Sequence, residues 1–303
     1  MLRNIPRPED FALLSVQYLA QAIDHILNTE KNFGDFTLSD TEYTDEPWEH
    51  HQGILGNSLI MLFLSIENYL KSEICKVSPL LLISNEPSKW GVKNVDKDFE
   101  DQFFHPFDDL IVIYQEIKGV AFDAALKSDF EVLRKKRNKC VHGIQREKMT
   151  PQYVLDAMRV FLVKIWGVSW LQSFREILLT EDFYGLDSKD CEDLKILEYF
   201  TLFEKYFSED DFRDLIGMPS RGRRFFCPEC ETKKIEAGLI YDADYALHNH
   251  ANQEVECYLC TSSTPITYKQ CVSPTCQCDI ICLSEESIAL ELDTCLHCWQ
   301  DQT

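Results

Sequence analysis

Cys227-Pro-Glu-Cys230 and Cys257-Tyr-Leu-Cys260 are two CxxC pairs placed close enough in the chain to share one ion. A CxxC turn aims both sulfurs at one point, and four thiolates at tetrahedral positions suit zinc. A second cluster follows: Cys271, Cys276, Cys278, Cys282, Cys295 and Cys298. Cys295-Leu-His-Cys298 is its clear knuckle. Cys271 and Cys276 are the favoured partners, with Cys276/Cys278 and Cys278/Cys282 as alternatives. The expectation is two structural zinc ions per chain and no catalytic metal, because four thiolates leave no open coordination position. His248 and His250 lie between the first two knuckles. They read as stand-in ligands or as plain surface histidines. Arg221, Arg223, Arg224, Lys233 and Lys234 make the entrance to this region basic, which suits either phosphate contact or an exposed linker.

A different chemistry is encoded at 133–143, Leu-Arg-Lys-Lys-Arg-Asn-Lys-Cys-Val-His-Gly. RNA can be cut by its own 2′-hydroxyl attacking the adjacent phosphate. That needs a group that moves protons near neutral pH, which His142 supplies, and a fixed cation on the phosphorane, which Arg137 supplies with a planar fork of donors. Asn138 can orient the phosphate or the imidazole, and Lys135, Lys136 and Lys139 can hold flanking phosphates. Positions five apart lie about 140° apart around a regular helix. Arg137 and His142 therefore converge only at a helix end or across two subunits.

The run Arg137-Asn138-Lys139-Cys140-Val141-His142 resembles the R-x4-6-H motif of the HEPN superfamily, whose active members are metal-independent ribonucleases. Ser65-Ile66-Glu67-Asn68-Tyr69-Leu70-Lys71 resembles the second helix of many such domains, which often carries an inward acidic residue. The resemblance implies an all-α bundle over roughly residues 8–180 and a homodimer with two motifs facing each other. It also implies an RNA substrate and a place in prokaryotic antiviral defence or a toxin–antitoxin system, with a neutralising or triggering protein partner. Glu67 would then position His142. The alternative for Glu67 is an i,i+4 pair with Lys71.

Helices are predicted at 9–30, 56–76, 107–118 and 121–141, and after Pro151, from apolar residues at spacings of three and four. Gly143 is a plausible end for the fourth. The helix after Pro151 is apolar on two faces, so it is a core or interface helix. Residues 32–53 read as an acidic connector and 77–97 as irregular. Short helices are expected over 181–217, then a linker at Pro219–Arg224, then strands at 238–241 and 287–292. The fold class expected is mainly α: a HEPN-like bundle at 1–180, an acidic helical connector and linker at 181–220, and a small zinc-ribbon β module at 221–303.

Composition narrows the function. The formal charge is −21, so nucleic acid can be met only at a local basic patch. Of thirteen cysteines, all but Cys75, Cys140 and Cys191 fall at or after residue 227. Such clustering reads as metal binding rather than secreted disulfides. The opening Met1–Pro8 lacks a basic-then-apolar pattern, and the apolar stretch 54–66 is short for a membrane span. A cytoplasmic protein with no membrane partner is expected. His50, His51 and His105 have no spacing partner and read as surface residues. A rival function fits the same composition: a non-catalytic dimeric scaffold whose zinc ribbons bind nucleic acid or protein.

Overall fold

The computed structural model describes residues 2–36, 47–87, 96–143, 147–167, 169–180, 189–238, 242–282 and 294–300. The chain divides into two compact units, Met1–Ile165 and Trp166–Thr303.

The first unit is a helical bundle. Helix α1 (Pro8–Phe36) lies along α2 (Gln52–Val77). Val16, Leu19, Ile23 and Ile26 on one and Leu59, Phe63, Ile66 and Leu70 on the other are buried, which is the spacing the sequence predicts. Serines allow the two backbones to approach: Ser58 Oγ donates to the Ala22 carbonyl at 2.6 Å and Ser15 Oγ to the Ser65 carbonyl at 2.9 Å. Helix α2 is long and apolar enough to cross a membrane by length and composition, unlike the shorter stretch read from sequence. More than half of its most apolar window is nevertheless buried inside the protein, as expected of a core helix.

Helix α3 (Phe107–Lys118) begins with Asp108 and Asp109, which favour its positive end, and stops at Gly119 in the left-handed conformation. Helix α4 (Ala124–Val141) is capped by Asp123, whose carboxylate accepts from Leu126 N–H at 2.8 Å. It buries only Phe130 and Leu133, so most of its circumference is left for other uses. Helix α5 (Pro151–Phe161) starts at a Thr150 cap and runs into a wider turn over Leu162–Trp166. The Ile165 carbonyl in that turn accepts from the hydroxyls of Tyr69 at 3.3 Å and Tyr114 at 3.4 Å. Two short parallel strands, β1 (Leu2–Arg3) and β2 (Lys97–Asp98), lie in the same unit and were not predicted. The connector and irregular stretch fall partly outside the described residues, at 37–46 and 88–95.

The second unit joins helices and a sheet. Helices α6 (Trp170–Thr180), α7 (Lys189–Tyr206) and α8 (Glu209–Ile216) carry an aromatic core of Trp170, Phe174, Tyr199, Phe200 and Phe212. Strands β3 (Arg224–Phe225), β4 (Ala246–Asn249), β5 (Glu254–Cys257), β6 (Ser263–Tyr268), β7 (Ile280–Cys282) and β8 (Thr294–Cys295) follow in spatial order, all antiparallel. The sheet curls, so that Phe226 N–H beyond β3 donates to the Leu296 carbonyl beyond β8 at 2.8 Å. Helix α9 (Pro228–Glu236) fills the β3–β4 connection.

Mainly α with a C-terminal β module thus holds. The internal boundary lies at Ile165/Trp166, so the segment expected to be a connector is built into the second unit. Tyr245 explains why: its ring packs against Phe200 at 5.1 Å and Phe212 at 5.8 Å, and its hydroxyl donates to Glu204 at 2.7 Å. Even the turn read as a linker is pinned, since Arg213 donates to the carbonyls of Pro219 and Gly222. The strand expected at 238–241 falls mostly outside the described residues, where Gly238 is still a turn with φ 68°, and the one at 287–292 lies wholly outside them.

Candidate metal centres and the Arg–His motif

Cys227 occupies the N-cap of α9, with Pro228 in its first turn, so a thiolate there faces the positive end of the helix. Cys230 follows one turn later. Cys257 ends β5 and Cys260 closes the turn after it. The sulfurs of Cys227, Cys230, Cys257 and Cys260 all lie within 4.8 Å of one another, with Cys227–Cys260 at 3.5 Å and Cys230–Cys257 at 3.8 Å. Tetrahedral zinc at about 2.3 Å from each sulfur requires edges of about 3.8 Å. A disulfide would require about 2 Å. Backbone N–H groups of Leu259 and Cys260 point at Cys257 Sγ at 3.3 and 3.4 Å. Burial pushes the Cys257 thiol up, and a cation placed among the four sulfurs would favour its thiolate.

Cys271, Cys276, Cys295 and Cys298 form the second group, again within 4.8 Å. Cys271–Cys298 is 3.6 Å and Cys276–Cys295 is 3.8 Å. The structure therefore selects the favoured pairing among the alternatives. Cys278 and Cys282 are buried outside the group. Cys278 belongs to the supporting turn, where its carbonyl accepts from Cys271 N–H at 3.0 Å. Two groups of four cysteines are thus positioned to bind a metal ion, and four buried sulfur donors at this spacing are compatible with zinc.

His248 and His250 belong to neither group. Their rings lie 4.0 Å apart on the sheet, and His248 Nε2 is 3.1 Å from the Tyr268 hydroxyl. Burial and the neighbouring His250 push His248 below its ordinary value. The basic entrance splits in two. Arg224 pairs with Glu204, Glu209 and Asp244, Lys233 with Asp193 at 2.8 Å, and Lys234 with buried Glu231 at 2.6 Å. Arg224 and Lys233 thereby tie β3 and α9 to α7, while the Lys234 pair lies within α9. Arg221 and Arg223 are exposed and have no ion-pair partner among the described residues.

In the first unit the Arg–His motif spans the end of α4. Arg137 is half-buried. Its guanidinium carbon lies 4.1 Å above the ring of buried Phe63 on α2, and its Nε has no hydrogen-bond partner among the described residues. His142 is the C-cap residue; its backbone N–H donates to the Asn138 carbonyl at 3.0 Å. Its imidazole is exposed, without a hydrogen-bond partner among the described residues. Asn138 is half-buried one turn earlier. Arg137 and His142 thus take different faces, as the helical angle requires. Lys135 pairs with Glu131. Lys136 and Lys139 flank Glu147 at 3.7 and 3.8 Å. A groove of about 390 Å³ opens beside this end of the helix, lined by Gln52, Gly56, Asn57, Lys139, Cys140 and Gly143 among others.

Glu67 accepts from Lys71 at 2.6 Å, the helical pair the sequence offered as its alternative. The deeply buried carboxylate on α2 is Glu73. Burial opposes its charge, but hydrogen bonds from Lys118 and Lys76 outweigh this and hold it below the usual carboxylate range. Nothing in local spacing distinguishes Glu73 from Glu67. The partner that secures it, Lys118, is remote in sequence.

Comparison with protein-family models, curated proteins and solved structures gives no match to this chain.

Proposed function

We propose that the first unit is a metal-independent endoribonuclease of HEPN type, and that the second holds two structural zinc ions. The observation that carries the reading is the exposed imidazole of His142, unengaged among the described residues at the end of α4, one turn beyond Asn138. Arg137 adds a guanidinium whose Nε has no hydrogen-bond partner among the described residues, in a chain with 51 acidic residues. His142 would take the 2′-hydroxyl proton as the 2′-oxygen bonds to phosphorus. The P–O5′ bond breaks, and an imidazolium returns a proton to the 5′-oxygen, leaving a 2′,3′-cyclic phosphate and a 5′-hydroxyl. Arg137 would steady the charge on the phosphorane. Because Arg137 and His142 occupy different faces of one helix end, the reading calls for a homodimer in which one copy's His142 meets the other's Arg137. The groove beside Lys139 would take the flanking strand. A toxin or antiviral role with a neutralising or triggering partner follows from the same reading.

A second reading has support of its own. The Glu67–Lys71 pair and the Arg137–Phe63 contact are what a purely structural bundle needs. In that reading the bundle is a dimerisation scaffold and the second unit the binding part.

Metal-loaded protein incubated with RNA, free of added divalent ions, separates them. Cleavage leaving cyclic phosphate ends, lost in His142→Ala and in Arg137→Ala, supports the nuclease. Equal behaviour of wild type and both variants sinks it. Elemental analysis of the same sample tests for zinc.

A further inference from the structure

The two C-terminal knuckles are built alike. Cys257 N–H donates to the Ser262 carbonyl at 2.9 Å, and Cys295 N–H to the Gln300 carbonyl at 3.0 Å. The residue after each second cysteine, Thr261 (φ 61°) and Trp299 (φ 56°), adopts the left-handed conformation. Each donates its N–H to the first cysteine's carbonyl, at 3.0 and 2.8 Å. This backbone position suits Gly or Asn and penalises branched and bulky side chains. Thr261 is compensated locally, because its hydroxyl donates to the Cys260 carbonyl at 2.6 Å. Trp299 has no such bond among the described residues.

What the indole offers is a surface. Trp299 is half-buried and its ring lies 5.9 Å from that of half-buried Phe226, tilted by 60°. Arg223 lies three residues before Phe226, whose N–H donates to the Leu296 carbonyl at 2.8 Å, so the chain that carries the arginines runs beside the Cys295–Cys298 knuckle. Arg221 and Arg223 are exposed without a carboxylate partner among the described residues, while nearby Arg224, Lys233 and Lys234 are all paired. Two exposed guanidiniums without carboxylate partners among the described residues, within five residues of Phe226 in the chain, stand out at a net charge of −21.

We propose that this surface binds single-stranded nucleic acid. An unpaired base stacks on the Trp299 indole with Phe226 as a second wall, and adjacent phosphates lie on Arg221 and Arg223. Stacking accepts any base, and the two cations follow the backbone. A duplex keeps its bases in their own stack and would bring more phosphates against an acidic protein, so it is excluded. This inference concerns the second unit and does not depend on cleavage in the first.

The test uses full-length, metal-loaded protein carrying His142→Ala, so that cleavage cannot disturb binding. Labelled oligouridylate, oligothymidylate, a DNA duplex and a glutamate-rich peptide are titrated by fluorescence anisotropy. Both single strands are expected to bind, with the duplex and the peptide at least tenfold weaker. Trp299→Gly, which suits the backbone, should weaken single-strand binding about tenfold with metal content unchanged. Trp299→Phe should retain most of it. Arg221→Gln with Arg223→Gln should lower both the affinity and the salt dependence. The proposal is overturned if wild-type Trp299 protein binds neither strand, if the peptide or duplex binds as well, or if the arginine pair and Trp299→Gly leave affinity unchanged. Should Trp299→Gly lose metal, the arginine pair decides. Failure of cleavage with binding intact removes only the nuclease reading.

Discussion

Around Cys227, Cys230, Cys257 and Cys260 the chain supplies a helical layer; around Cys271, Cys276, Cys295 and Cys298 it supplies turns and strand ends. The first group is fully buried, has a helix starting on Cys227, and lies in a sheet whose Tyr245 enters the aromatic core of α7 and α8. The second leaves Cys298 half-exposed and draws no ligand from a helix. Identical donors therefore serve unequal purposes. At the first, an ion would lock the sheet onto the aromatic core of α7 and α8, so its loss would reach the whole unit. At the second, an ion would stand in for a core too thin to hold the local turns by itself.

This contrast can be broken by substitution. Cys257→Ser is expected to have the largest effect: loss of both ions and of fixed tertiary structure in the second unit, a change of several kcal/mol or more. Metal analysis and near-ultraviolet circular dichroism read it out. Cys298→Ser should remove one ion of the two and leave the aromatic signal of α6–α8 in place. If it strips both, the two centres are one cooperative structure and the contrast is wrong. Tyr245→Phe removes a buried hydroxyl that donates to Glu204 at 2.7 Å, and should cost about 1–2 kcal/mol in urea unfolding while both ions remain bound.

The smallest effect sharpens the contrast from the metal-free side. Glu73→Gln should cost the first unit about 1 kcal/mol near neutral pH. Its folded pKa is depressed, so the stabilisation is present above the unfolded carboxylate value, about 4.3. It fades as pH falls through the folded value, and wild type and variant should then converge. A strong chelator should not alter the difference.

Much of this was legible in the sequence, and the reason is locality. The helices at 107–118 and 121–141 follow from apolar spacing closed by Gly119 and Gly143. The first ligand set follows from two adjacent cysteine pairs. The second set was open among three pairings because six cysteines crowd 28 residues, and only the curl of the sheet brings Cys271 against Cys298. The fate of the basic entrance was equally out of reach. Lys233 and Lys234 look alike in sequence, yet one is held by Asp193, forty positions earlier, and the other by its helical neighbour Glu231. Acidic composition at 181–217 suggested a solvated bridge. Its aromatic residues were a counter-signal, and Tyr245 shows what they were for.

That tyrosine also decides where the protein can be cut. A fragment beginning at residue 221 keeps all eight clustered cysteines but loses Phe200 and Phe212, against which Tyr245 packs, and the tyrosine ring would meet water there. The smallest portable piece begins ahead of Trp170, whose indole N–H donates to the Leu215 carbonyl at 2.6 Å. Anyone wishing to graft the cysteine-rich part onto another protein must carry its helices with it.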